Sequence, residues 1–386
     1  MELYLESGYT SLNKKGEELC GDKVESTRDG EYTTVALADG LGSGVKANIL
    51  ATLTSKILCT MVSNGIELEE CISAVIQTLP VCKTRGVAYA TFSVVNANKQ
   101  GGGCLFEFDN PAAIYVHEGK CVDFDRTARN YFGKTVYVSD LNLAKDDCII
   151  LMSDGVIHAG IGKALNLGWL RTDVMDYLNR TIKPSMSARC VACLLAGACN
   201  DLYINEPGDD TTVAAIKIRE VAPVSVMVGP PVDKTRDDFY IERFLSHKGK
   251  KVVCGGTSSQ IVARYLRQEI KSALHFPDKD VPPIGCIKGV DLTTEGVLTL
   301  RKLLELSEKY ISDSDITPKY FTKRDGASML ANILFEEATH IRFFVGQSIN
   351  SAHQGLPIDI TMKLKLVEAL AKNLKAIGKT VEVQYD

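Results

Sequence analysis

Four acidic positions in this sequence stand where an apolar run meets a turn. Asp39 ends Tyr32-Thr33-Thr34-Val35-Ala36-Leu37-Ala38 and leads into Gly40-Leu41-Gly42-Ser43-Gly44. Asp154 ends Cys148-Ile149-Ile150-Leu151-Met152-Ser153 and precedes Gly155, and Asp209-Asp210 sits just before Thr211-Thr212-Val213-Ala214-Ala215-Ile216. Asp22 follows Gly21, ahead of the first of these. A carboxylate at the mouth of a buried strand is costly unless a cation or a hydrogen-bond network compensates it. Several of them with glycine partners suggest one shared oxygen-ligand site for hard divalent metals. Two such cations about 4 Å apart, bridged by a carboxylate and a water, activate that water near neutral pH and clamp phosphoryl oxygens during in-line displacement. Asp39-Gly40 suits the bridging position, because glycine lets its own carbonyl turn toward a metal. Asp22, Asp154 and Asp209 would supply the remaining charge. His is scarce at 6 residues, and there is neither a nucleophile elbow nor a His-Glu-x-x-His pattern.

Each aspartate alone has a plainer reading. Asp-Gly is a common turn dipeptide, Asp22 could pair with Lys23, Asp209 after Pro207-Gly208 could simply open a strand, and Ser43 could only cap a helix. The ordered set is what argues for a metal-dependent hydrolase.

The elements that must position these residues are strands. Runs at Thr33–Ala38, Ala88–Val95, Cys104–Phe108, Ala112–His117, Cys121–Phe124, Thr135–Val138, Ile149–Met152 and Thr212–Ile218 are separated by turn signals such as Asn98-Lys99-Gln100-Gly101-Gly102, the rhythm of antiparallel hairpins. Met1–Glu6 is acidic and alternating, which reads as a strand and not a signal peptide. Helical spacing of Ile49, Leu50, Leu53, Ile57, Leu58 and Met61 predicts a helix over 44–62. Others follow at 67–79, with Pro80 past its end, at Trp169–Leu178 and at Ser185–Cys199. Antiparallel strands with helices on the outer faces imply a layered α/β sandwich over residues 1–220.

Pro223, Gly229-Pro230-Pro231 and the charged stretch Asp233–Asp238 mark 221–238 as a linker. Residues 239–386 then read as a smaller α/β domain: a strand at Lys251–Cys254, helices at Gln260–Arg267, Thr294–Tyr310, Gly326–Ala338 and Thr361–Ile377, and strands at His340–Val345 and Thr380–Gln384. Gly255-Gly256-Thr257-Ser258-Ser259, between a strand and a helix, offers backbone amides to an anion. It lacks the Walker lysine pattern, and a plain tight turn is the competing reading.

Composition sets bounds. The 386 residues are 45% hydrophobic and 24% charged, with a net charge of -4, which argues against nucleic acid as the main partner. No apolar run approaches the roughly 20 residues of a membrane span. The 12 cysteines, with no export signal, read as reduced thiols in a cytoplasmic setting. Cys190, Cys193 and Cys199 fall in an Ala/Val/Leu run, where Cys acts as a small hydrophobe.

The ordered set Gly21-Asp22, Ala38-Asp39-Gly40-Leu41-Gly42-Ser43-Gly44, Met152-Ser153-Asp154-Gly155 and Asp209-Asp210-Thr211-Thr212-Val213 resembles the motifs of the type-2C metal-dependent serine/threonine phosphatases. Gly-x-Gly-x-Gly after the first Asp-Gly is similar to the bacterial SpoIIE-type branch, as is Phe108-Asp109-Asn110-Pro111-Ala112-Ala113-Ile114-Tyr115. The resemblance covers residues 1 to 220 and implies a type-2C fold with two Mn2+ or Mg2+ ions. It implies that Asp39 bridges them, that the Gly40 carbonyl joins one, and that Asp22 and Asp154 each ligate a metal. It favours Asp209 as ligand and Asp210 as its neighbour, with the reverse still open. The phosphate-binding Arg of eukaryotic members has no clear match, which leaves substrate phosphate mainly to the metals. The implied function is hydrolysis of phosphoserine or phosphothreonine in a bacterial regulatory phosphoprotein, such as an anti-sigma-factor antagonist. The helices at 44–62 and 67–79 match the placement of that branch's activity switch, which a partner or a homodimer contact could bias. Two alternatives stand beside it: a non-catalytic phosphoprotein-binding module, and a phosphatase of small phosphorylated metabolites. The second domain would sense a ligand, bind a partner or dimerise.

Overall fold

Runs such as Val35-Ala36-Leu37-Ala38 and Ile149-Ile150-Leu151-Met152 are apolar at every position because both faces of their strands are covered. The computed structural model describes residues 3–78, 90–272, 285–312, 325–348 and 358–386. The expected helix end at Leu79 with Pro80, the strand start at Ala88 and the first two residues lie outside these. Two compact units result, Met1–Glu220 and Val221–Asp386.

The first unit opens with strands β1 (Leu3–Leu12), β2 (Asp22–Asp29) and β3 (Tyr32–Gly40), then helices α1 (Gly44–Ser63) and α2 (Leu68–Thr78). Strands β4 (Ala90–Asn98), β5 (Gly102–Phe108), β6 (Ile114–His117), β7 (Lys120–Val122), β8 (Thr127–Tyr131), β9 (Lys134–Asn142) and β10 (Cys148–Met152) follow. Helices α3 (Asp154–Ile157), α4 (Arg171–Thr181) and α5 (Ala188–Leu202) precede the last strand, β11 (Thr211–Glu220). One sheet has the order β1-β11-β10-β6-β7 and the other β2-β3-β4-β5-β9-β8, and all their pairings are antiparallel. Val35 and Leu37 of β3 meet Leu151, Ala214 and Ile216 of the other sheet in a central core. The alternate residues, Ala36 and Ala38, pack under α1 and α2. On the far side, Ile150, Met152, Val213 and Ala215 pack under α4 and α5. The result is the expected antiparallel sandwich flanked by helices. Cys190, Cys193 and Cys199 are buried in α5.

Helix α1 departs from expectation. Ile49, Leu53 and Ile57, whose spacing predicted the helix, are exposed together with Val45, while Ala47, Ala51, Ser55 and Leu58 face the sheet. Small residues win the inner face because α1 runs so close to β3 that a side chain on Gly40 would lie 2.1 Å from the Ala47 carbonyl. The same composition corrects the expectation that no segment approaches a membrane span. By length and apolarity alone α1 could cross one, although a third of it is buried against the sheet.

In the second unit, the stretch 221–238 expected as a linker instead holds β12 (Pro223–Val228), an interior strand of a seven-stranded sheet. Its Pro223 is tolerated because it stands at the first position of the strand. After it come α6 (Asp237–Ser246), β13 (Lys250–Cys254), α7 (Gly256–Leu266), and the short strands β14 (Lys271–Ser272), β15 (Gly285–Cys286) and β16 (Leu292–Thr294). Helices α8 (Val297–Ser312) and α9 (Gly326–Ala331), β17 (His340–Val345), α10 (Ile358–Ala376) and β18 (Thr380–Tyr385) complete it. Five strands are parallel, in the order β16-β13-β12-β17-β18. Numbered by their place in the chain, that order is third, second, first, fourth, fifth, the doubly wound arrangement. Helices α6 and α7 cover one face through Tyr240, Ile241, Phe244, Ile261 and Val262. Helices α8, α9 and α10 cover the other through Leu300, Leu303, Leu330, Val367 and Leu370.

Candidate metal centre

Strand pairing places the carboxylates before any side-chain contact is considered. Antiparallel β2 and β3 set Asp22 directly opposite Asp39. In the other sheet, β10 and β11 set Met152 opposite Val213, so Asp154, two residues beyond Met152, lies beside the chain entering β11. That second junction is tied by Ser153, whose N–H donates to the Thr212 carbonyl at 3.0 Å and whose Oγ accepts from the Thr212 N–H at 2.8 Å. Two carboxylates thus come from the end of one sheet and two from the end of the other.

Glycines let the two ends close on each other. A side chain on Gly21 would lie 2.8 Å from Asp210 Oδ2, and one on Gly155 would lie 2.1 Å from the Asp210 carbonyl and 2.5 Å from Thr211 Oγ1. Gly40 admits α1 in the same way. Each Asp-Gly or Gly-Asp motif therefore pairs a carboxylate with a place where backbone must approach closely. For Gly40 this packing is a role that the reading of its carbonyl alone did not foresee.

The electrostatics show that the four groups are neighbours. Burial pushes the Asp39 carboxyl up to about 9, and the charges of Asp22, Asp154 and Asp209 add to the rise. Burial pushes Asp22 up to about 7 against the favourable Ser153 and Thr212 hydroxyls, with Asp210 and Asp154 opposing its ionisation further. Those hydroxyls fall short of hydrogen-bond geometry, and both Asp22 oxygens are buried without a partner. The half-exposed Asp154 is raised by burial and then by Asp209, with His158 opposing, its Nδ1 3.8 Å from Asp154 Oδ2.

Asp209 and Asp210 face different ways. Asp209 raises Asp39 and Asp154, is 39% exposed in its side chain, and has Lys14 Nζ at 3.5 Å. Asp210 is buried. Its Oδ1 accepts from the Lys14 N–H at 3.0 Å, and its Oδ2, beside Gly21, is without a partner.

This donor set suits a hard divalent cation in kind: all oxygen, clustered like charge, and buried acceptors without donors. Among the described residues, no three acidic, His or Cys side chains are already drawn around a single point. The carboxylates stand as adjoining pairs. Lys14, Ser153, Thr212 and His158 were missed in the sequence reading. Ser153 was visible only as the residue before Asp154, and Lys14 carries no motif signal at all.

In the second unit, the Gly255–Ser259 loop leaves the carboxyl end of β13, and helix α7 begins at Gly256, four residues earlier than expected. It belongs to a different unit from the carboxylates.

The fold and the carboxylate-bearing sheet ends define the class first: a sandwich of two antiparallel sheets between helical layers, of the type-2C phosphatase kind. The family described as Stage II sporulation protein E (SpoIIE) matches residues 29–219, so the first unit carries a SpoIIE-type domain. The match begins after Asp22, so the place of that residue in the set rests on its pairing with Asp39. Among solved structures, the chain is similar to the PP2C phosphatase domain with a fragment of the regulatory domain of the cell fate determinant SpoIIE from Bacillus subtilis. Identity is 19%, coverage 56% of this chain and 64% of that chain, and the TM-score 0.49. It is also similar to the RsbU and RsbW domains of a Mycobacterium tuberculosis protein, at 20% identity over 56% of this chain and 60% of that one, with a TM-score of 0.45. RsbX in complex with magnesium shows 19% identity over 55% of this chain and 95% of that chain, with a TM-score of 0.40. The chain thus spans less than two thirds of the first two of these structures. No curated protein matches it.

Proposed function

We propose that the first unit is a metal-dependent phosphatase that hydrolyses phosphoserine or phosphothreonine in a regulatory phosphoprotein, for which an anti-sigma-factor antagonist is the working candidate. The observation that carries this reading is the meeting of Asp22, Asp39, Asp154 and Asp209 from the ends of both sheets, with the Asp22 oxygens buried and unpartnered. Asp22, Asp39, Asp154 and Asp209, with the Gly40 carbonyl, would hold two Mn2+ or Mg2+ ions, and Asp210 would anchor the loop through the Lys14 N–H. Bound at this edge, the ions would supply a nucleophilic water at neutral pH and stabilise charge on the phosphoryl oxygens. The chain's own contribution is placement. Ser153 and Thr212 lock the two strand ends together, and the half-exposed Asp154 and Asp209 leave the edge open to a phosphorylated side chain. The 12 cysteines, read as reduced thiols, fit a reducing compartment, and we place the protein in the cytoplasm.

The test is turnover of a phosphoserine peptide and of ribose 5-phosphate by the full chain, with Mn2+ or with EDTA, beside Asp154→Asn. Peptide turnover that needs Mn2+ and is lost in Asp154→Asn supports the proposal. Turnover of ribose 5-phosphate alone would assign the site to small metabolites, and turnover that survives EDTA would refute the metal.

A further inference from the structure

In a doubly wound parallel sheet, the loops leaving the carboxyl ends of the strands form the crevice where ligands bind. Four such loops leave this edge of the second unit, after β12 at Gly229, after β13 at Gly255, after β16 at Glu295 and after β17 at Gly346. Two of them run directly into helices and touch. A side chain on Gly296, just ahead of α8, would lie 3.4 Å from the Gly255 Cα, just ahead of α7. The N-termini of both helices therefore converge on one spot, each with first-turn N–H groups that a helix cannot satisfy internally.

A helix N-terminus alone would carry no argument, but the side chains add to it. Ser258, in the first turn of α7, is 1% exposed, and its Oγ has no hydrogen-bond partner. That hydroxyl faces the loop, 3.5 Å from where a Gly255 side chain would begin. Thr299, in the first turn of α8, holds a second buried hydroxyl without a partner. Buried hydroxyls are ordinarily satisfied, so the one on Ser258, beside the meeting point of two helix starts, points to an acceptor that arrives from outside. Gly255 has φ +119, a conformation for which glycine is suited, and its N–H donates to the Thr294 carbonyl at 2.9 Å, which ties the two loops together. Farther along the edge, the buried Lys363 donates from Nζ to the Gly346 carbonyl beside Gly229. That places a cation at the reversal point of the strand order, between β12 and β17. Glu295 leaves β16 at the same spot, near enough to Cys254 to raise its thiol, after burial.

We infer that this edge of the second unit binds a phosphorylated small molecule carrying hydroxyl groups, a nucleotide or a sugar phosphate. The phosphate is received by the amides of Gly256, Thr257 and Ser258 and by the Ser258 hydroxyl. Glu295 accepts hydrogen bonds from the ligand's sugar hydroxyls, which offset its repulsion of the phosphate and which inorganic phosphate lacks, so it favours the sugar-bearing ligand. The site is independent of the phosphatase reading, since it shares no residue with the carboxylate edge.

The experiment is calorimetric titration of the full chain in EDTA, which removes metal-dependent phosphate binding at the first unit, with AMP, ribose 5-phosphate and inorganic phosphate as probes. The discriminating variant is Gly256→Asp. A side chain there meets nothing within 4 Å, and an acidic residue in the first helical turn favours the helix. The melting temperature should therefore hold or rise while a carboxylate occupies the anion's place. Saturable one-to-one binding of AMP, with or without ribose 5-phosphate, weakened at least about 30-fold in Gly256→Asp by charge repulsion, is the expected result. Binding of AMP alone would mark a nucleotide site, and binding of both would show that the sugar phosphate suffices. No saturable binding of either up to about 10 mM, binding of inorganic phosphate only, or binding unchanged in a folded Gly256→Asp would overturn the inference.

Discussion

Gly155→Ala is the smallest perturbation that tests how the carboxylates are held. The added methyl would lie 2.1 Å from the Asp210 carbonyl oxygen and 2.5 Å from Thr211 Oγ1. Ordinary contact begins at 3.4 Å, so the chain entering β11 must move away from Asp154 by about 1.3 Å, a shift set by normal carbon–oxygen packing. No flexible side chain can absorb this, because the nearest atom is backbone. A displacement of about 1 Å at a reacting centre costs on the order of 100-fold in rate, and overpacking of this kind costs about 1–3 kcal/mol of stability. The variant should therefore remain folded with a lower melting temperature, and its kcat on a phosphoserine peptide in Mn2+ should fall about 100-fold. Gly197→Ala is the control. It sits inside α5, a side chain there meets nothing within 4 Å, and it should gain about 0.5–1 kcal/mol of stability with unchanged kcat. A Gly155→Ala enzyme with wild-type kcat would refute the idea that close approach of Asp154 and Asp209–Thr211 builds the site.

Further outcomes follow from the same geometry. Asp22 and Asp39 are raised above the ordinary carboxylate range, so the metal-free fold binds more protons than the unfolded chain. Its stability is then greatest below the unfolded carboxylate range and declines as pH rises through about 7 and about 9. In EDTA the melting temperature should fall from pH 5 to pH 9, and Asp39→Asn should flatten that fall and raise the melting temperature at the alkaline end. Mn2+ at about 100 times its dissociation constant should stabilise the protein by about 2.7 kcal/mol, read as a rise in melting temperature that Asp154→Asn removes. Ser153→Ala leaves the buried Thr212 N–H without its side-chain acceptor and should cost about 1–3 kcal/mol, with a fall in kcat under Mn2+.

Much of this site was legible because its strands have both faces covered. The apolar runs of β3, β10 and β11 announce themselves, and the aspartates end or open them. Strand β2 was missed as an element because Asp22–Asp29 lies at a sheet edge and carries Lys23, Glu25, Thr27 and Arg28. Only the register shows Asp22 opposite Asp39. Helix α1 was found, but of its spaced apolar residues Leu58 faces the sheet while Ile49, Leu53 and Ile57 are exposed, because closeness to β3 selects Ala and Ser inward. Strand β12 was hidden by Pro223 and by Gly229-Pro230-Pro231, which punctuate a central parallel strand as they would a linker. The order of the second sheet depends on pairings far apart in the chain, such as Val226 with Phe343, and no local pattern encodes it. Lys14 reaches Asp210 across 196 residues and left no trace in spacing.

The most direct test of the central claim is calorimetric titration of Mn2+ into the wild-type chain and into Asp39→Asn, near pH 7.5 and in two buffers of different ionisation heat. The account predicts two ions per chain, bound with release of protons, because carboxyls held at about 7 and about 9 must ionise to ligate. In Asp39→Asn the binding should be lost or reduced to a weak remnant. A folded wild-type chain that takes up no Mn2+, or one whose binding is the same without the Asp39 carboxylate, would contradict it.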